Sequence, residues 1–130
     1  MRLSAALLEE IVAAARAALP NEAVGLLVGA DAPSRYVAMV NAAGSPYRYS
    51  IDPAEQLRVW SELGAGGESV RSIVHSHVSS AAVPSKTDVE LAYFPESLYL
   101  IVSLADRAKP DVRAWSITRG AVTEVPLVVI

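Results

Sequence analysis

The chain contains no cysteine and only two histidines. Without cysteine there can be no disulfide, no thiolate zinc site and no cysteine nucleophile. With two histidines, hydrolases that hold metal through three or four of them cannot be built. Clustered positive charge is missing as well. Eleven Lys and Arg lie scattered among fourteen Asp and Glu, for a formal net charge of −3 and an isoelectric point near 5.3. A nucleic-acid binder would normally show a basic stripe, so that class is set aside. No uninterrupted apolar run approaches bilayer-spanning length. Glu9 and Glu10 interrupt the N-terminal apolar stretch before it resembles a signal-peptide core. No membrane partner is expected, and the expected location is the cytoplasm.

What the chain does have is apolar bulk: 52% of its 130 residues are hydrophobic, and mean hydropathy is +0.33. That excludes disorder and fits one domain over residues 1–130. A core of this size needs neither disulfides nor a structural metal. It also exceeds what a small monomer requires, which points to some buried oligomer or partner surface, such as a homodimer.

Leu7, Leu8, Ile11, Val12, Ala15 and Leu19 recur at helical spacing, which predicts a helix over residues 5–18 with Ser4 as N-cap and Pro20 beyond its end. The apolar run at 23–29 suits a buried strand. A turn at 31–34, a strand at 36–40, a loop at 41–46 and an extended stretch at 47–51 follow. Asp52-Pro53-Ala54-Glu55 reads as a helix start with Asp52 as cap. That helix is expected to turn Leu57, Trp60 and Leu63 inward and to stop at Gly64. A strand over 70–77, a loop over 78–84, a short helix after Ser85 and strands near 98–104, 112–118 and 121–129 complete the chain. The order of elements predicts an α/β or α+β arrangement around one mixed sheet.

The chemistry concentrates in His75-Ser76-His77, followed after seven residues by Ser85-Lys86-Thr87-Asp88. Alternate residues of a strand share a face, so His75 and His77 can converge on one ion. Asp88, one turn into the next helix, can return its carboxylate toward them. Two imidazoles and one carboxylate leave tetrahedral zinc an open fourth position, as catalytic sites require. A zinc nucleoside deaminase is excluded, since its Cys-x-x-Cys is missing. Ordinary strand histidines, a helix-dipole role for Asp88 and a plain N-cap role for Ser85 are the alternatives. Ser76 points to the opposite face and reads as structural. Trp60 and Trp115 read as core or interface residues, Asn41 and Asp52 as loop and cap residues.

The spacing His75-Ser76-His77, seven residues, Ser85, two residues, Asp88 resembles the signature of the JAMM (MPN+) metallopeptidases. The segment Pro-Asn-Glu-Ala-Val-Gly-Leu-Leu-Val-Gly at 20–29 resembles that family's upstream strand. The resemblance implies zinc held by His75, His77 and Asp88, with Glu22 and Ser85 as catalytic residues. It implies a single-domain, cytidine-deaminase-like fold: a mixed, mostly antiparallel sheet flanked by helices. Glu22 is singled out by the resemblance alone, since a glutamate between helix and strand is ordinarily solvated. Asn41, Ser45-Pro46, Tyr49, Asp52, Glu55-Gln56-Leu57 and Val59-Trp60 are similar to a prokaryotic subgroup that acts on ubiquitin-like sulfur-carrier proteins. Such relatives free cysteine or another group from the carrier's C-terminal Gly-Gly tail. Val78 departs from the pattern, standing where many relatives have proline. The long insertions with which eukaryotic relatives grip ubiquitin chains find no room here, which argues against chain cleavage. Two rival readings remain: a catalytically silent MPN-type binding scaffold, and a zinc hydrolase of some other amide. Zinc content separates the first from an enzyme, and a carrier–peptide fusion separates the second.

Overall fold

The computed structural model describes residues 1–130. After a two-residue strand β1 (Arg2–Leu3), Ser4 caps helix α1 (Ala5–Ala18) by accepting the Leu7 N–H. Strands β2 (Val24–Gly29) and β3 (Arg35–Met39) form a hairpin, and helix α2 (Pro53–Ala65) leads into β4 (Ser69–His77). The short helix α3 (Lys86–Glu90) is followed by β5 (Leu98–Ser103), β6 (Asp111–Thr118), β7 (Ala121–Val125) and β8 (Val128–Val129).

Six strands form one sheet in the order β3-β2-β4-β5-β6-β7. Every pairing is antiparallel except that of β4 with β5, so the sheet is mixed and mostly antiparallel. β2 is buried along its whole length, which explains its nearly unbroken apolar sequence. Gly25 is required there, because a Cβ would overlap the Tyr36 ring crossing it from β3. On one face, Leu7, Ile11 and Ala15 of α1 pack against Leu27, Val74 and Leu100. On the other, Val59 and Leu63 of α2 pack against Val24, Leu26, Ile73 and Tyr99. The parallel step from β4 to β5 needs a long crossover. Residues 78–97, with α3 among them, supply it and bring α3 to the C-terminal end of β4.

Four expectations are corrected. Leu57 is 70% exposed, because it lies about 200° around the helix from Val59, and the seam follows Val59 and Leu63 at i, i+4. α2 continues through Gly64 to a cap at Gly66, and Asp52 makes no side-chain cap bond. The last strand is two: Pro126 cannot donate to a ladder, and beyond it β8 leaves the main sheet to pair in parallel with β1.

Candidate metal centre and its surroundings

His75 and His77 occupy the last turn of pleat on β4 and project to the α2 face. In the β2–β4 register Val24 stands opposite His75. Two further bonds extend that pairing by one residue: Ala23 N–H donates to Ser76 Oγ at 2.8 Å, and Ser76 N–H donates to the Ala23 carbonyl at 3.1 Å. Ser76 is thus structural, as its opposite facing implies. Counting one step more sets Glu22 opposite His77, and the two-residue period puts it on the same face as both histidines. Register therefore brings Glu22 to a place that spacing alone does not reveal.

Asp88 arrives from the other side through a capping box. Its N–H donates to Ser85 Oγ at 3.1 Å, and Ser85 N–H donates to Asp88 Oδ2 at 2.9 Å. The same oxygen lies 2.9 Å from His77 Nε2 and 3.2 Å from His75 Nε2. One potential ligand atom from each of the three residues falls within 4.8 Å of the others. Tetrahedral ligands about 2.0–2.1 Å from zinc sit roughly 3.3 Å apart, so a small opening of this cluster accommodates the ion.

The donor chemistry passes the same test. His77 Nδ1 lies 2.7 Å from the Ala81 carbonyl and donates to it. In the neutral ring Nε2 then carries a lone pair, aimed at a carboxylate oxygen. Both ring nitrogens of His75 and Oε1 of Glu22 are buried with no hydrogen-bond partner. Lone pairs meeting in a buried pocket call for a positive charge between them. Burial opposes the charged form of Asp88, yet the His75 and His77 rings beside it, with the Ser85 N–H, hold its carboxyl well below the usual range. Burial lowers the His75 pKa. In His77 burial acts the same way, but the imidazolium could donate to Asp88 as well as to the Ala81 carbonyl, and this outweighs burial so that the pKa rises. Glu22, 3% exposed, has its carboxyl pushed up to about 7 by burial, with His77 pulling down and Asp88 pushing up.

The surroundings contain contacts that the sequence does not signal. Tyr49 lays its ring 4.6 Å from that of His75. It also lines a cavity of about 220 Å³ shared with Ile51, Gln56, Ile73, Leu91 and Phe94. The 78–84 loop is pinned from the sheet: Ser103 Oγ donates to the Ser80 carbonyl at 2.6 Å, and Trp115 Nε1 donates to the Ala82 carbonyl at 2.9 Å. Trp115 thus fixes the residue next to the carbonyl that orients His77, a role an isolated tryptophan gives no hint of. Trp60 packs on Phe94 at 5.5 Å.

The family described as prokaryotic homologs of the JAB domain matches residues 4–118. The CysO-cysteine peptidase of Mycobacterium tuberculosis is 41% identical over 131 aligned residues, covering 98% of this chain and 90% of that protein. The desampylase of Haloferax volcanii is 36% identical over 89 residues, covering 65% of this chain and 63% of its own. Among solved structures, protein DSY2949 from Desulfitobacterium hafniense superposes with a TM-score of 0.88 at 36% identity, covering 99% of this chain and 92% of that one.

Proposed function

Because the chain belongs to the family of prokaryotic homologs of the JAB domain and is a hydrolase, we propose that it is a zinc peptidase acting on conjugates of a ubiquitin-like sulfur carrier. The bond cut is the amide after the carrier's C-terminal Gly-Gly, with cysteine, a peptide or a conjugated protein as the group released. The single observation that carries this reading is the convergence of His75, His77 and Asp88 on the face that also holds the partnerless carboxylate of Glu22. The M. tuberculosis and H. volcanii relatives, by their names, support a peptidase of carrier-type conjugates.

His75, His77 and Asp88 would hold the ion, and Ala81 and Ser85 fix the two ends of that set. Zinc held there would lower the pKa of a water molecule to about 7 and polarise the scissile carbonyl. Glu22 Oε1 accepts the proton of the attacking water and returns it to the leaving nitrogen, so the proton count closes. Ser85 Oγ accepts from Asp88 N–H, which leaves its own proton free for the carbonyl oxygen as charge develops there. The Tyr49 ring covers His75 and keeps bulk water from that side. An extended tail enters beside the sheet, and only glycine lets its backbone approach the buried carboxylate.

The test is a carrier ending in Gly-Gly fused to a short peptide. Cleavage after the second glycine is expected, with loss on chelation and loss on Gly→Val at the last carrier position. Equal cleavage of the valine variant would rule out the tail-in-cleft reading, even with metal-dependent hydrolysis intact.

A further inference from the structure

Glu22 precedes β2 and belongs to no ladder, yet its main chain is held at both ends by the segment between β3 and α2. Its N–H donates to the Ser45 carbonyl at 2.9 Å, and its carbonyl accepts from Asn41 Nδ2 at 3.0 Å. The other Nδ2 proton goes to the Arg48 carbonyl at 3.1 Å. Asn41 Oδ1 accepts from the N–H groups of Ala43 and Ser50, each at 3.1 Å. An asparagine side chain has two protons and two lone pairs to place, and here all four are used.

One amide thus ties the start of β2 to the loop that delivers Tyr49 to His75. The Glu22 carboxylate has no such restraint, since Oε1 is buried without a partner. Its aim depends on where its main chain is held.

We propose that Asn41 is a positioning residue for Glu22, holding the general base in line with the metal ligands and coupling it to the wall formed by residues 47–51. The inference rests on the reading of Glu22 as that base. Asn41→Asp keeps the acceptors for Ala43 and Ser50 but turns a lone pair toward the carbonyls of Glu22 and Arg48. Asn41→Ala removes all four bonds. Either change releases the Glu22 carbonyl and loosens the loop whose Ser45 carbonyl holds its N–H, and a small misplacement of a reacting group costs on the order of a hundredfold in rate.

The test is a double-mutant cycle with the Gly-Gly carrier–peptide fusion, each Asn41 variant being made in the wild-type and Glu22→Gln backgrounds. In the wild-type background kcat should fall roughly ten- to hundredfold, with zinc content retained and KM moving less than kcat. In the Glu22→Gln background the same changes should alter kcat less than about twofold, because the group they act through has gone. Amide exchange at Glu22 should accelerate by about tenfold or more in Asn41→Asp, while that of Ser76 holds. Equal fold losses in both backgrounds would overturn the proposal, as would unchanged exchange at Glu22. A Glu22→Gln enzyme with wild-type kcat would sink the general-base reading itself, and the positioning role with it.

Discussion

Helices α2 and α3 begin alike in sequence. Asp52-Pro53-Ala54-Glu55 and Ser85-Lys86-Thr87-Asp88 each set an acid three residues after a capping residue. In α2 the motif is idle: Asp52 makes no side-chain bond, and Val59 and Leu63 are buried further along. In α3 the box closes in both directions, and among that helix's own residues only Asp88 is buried. Length explains the difference. Thirteen residues can present an apolar face to the sheet, whereas five cannot, and so short a helix needs another source of order. In α3 that source is the box, which also aims Asp88 Oδ2 at His75 and His77. The same signature is therefore a stability device at most in one helix and part of the candidate metal centre in the other.

Substitution at Asp88 should have the greatest consequence. Asp88→Ala or His75→Ala should lower zinc from about one per chain to less than about a tenth and abolish turnover, because three protein ligands leave no redundancy. Asp88→Asn separates capping from metal binding. The amide oxygen can still accept from Ser85 N–H, so α3 should persist by amide shifts while zinc and activity are lost. Zinc retained in Asp88→Asn, measured by atomic emission, would make Asp88 a cap and not a ligand. The next effect in size is Glu22→Gln, which should keep zinc and lose roughly 10²–10⁴ in kcat, as expected for removal of a general base. Ser85→Ala should also keep zinc and cost on the order of 10²–10³ in kcat, the size of one oxyanion donor. Loss of zinc in Ser85→Ala would assign Ser85 to positioning Asp88 alone.

What could be read from sequence follows from how local each cause is. α1 follows from its apolar spacing and Ser4, β2 from an unbroken apolar run, and the approach of His75, His77 and Asp88 from strand period plus one helical turn. Glu22 needed a family resemblance, because its place opposite His77 depends on the β2–β4 register, a contact across more than 50 residues. Asn41 read as a loop residue, since an asparagine that fills four bonds looks the same in sequence as one that fills none. Leu57 failed because two apolar stripes were available on α2, and only the packing of Val59 and Leu63 chooses between them. The β1–β8 pair joins the two chain ends through two residues each, too short for any periodicity to register.

The smallest effect is expected at Asp52, and it completes the contrast between the helices. With no side-chain bond to lose, Asp52→Ala removes only a charge beside the start of α2. Exposed charge–dipole contacts of that kind contribute a few tenths of a kcal/mol. Denaturant unfolding should therefore shift by less than about 0.5 kcal/mol, with zinc content and turnover unchanged. Ser85→Ala, measured alongside in excess chelator so that metal binding does not enter, should lose about 1 kcal/mol, the usual contribution of a filled N-cap. The two substitutions remove the same kind of residue from the same kind of motif, so their difference isolates whether the box is closed. If Asp52→Ala cost as much as Ser85→Ala, the cap of α2 would be formed in solution, and helix length would no longer explain why only α3 depends on its box.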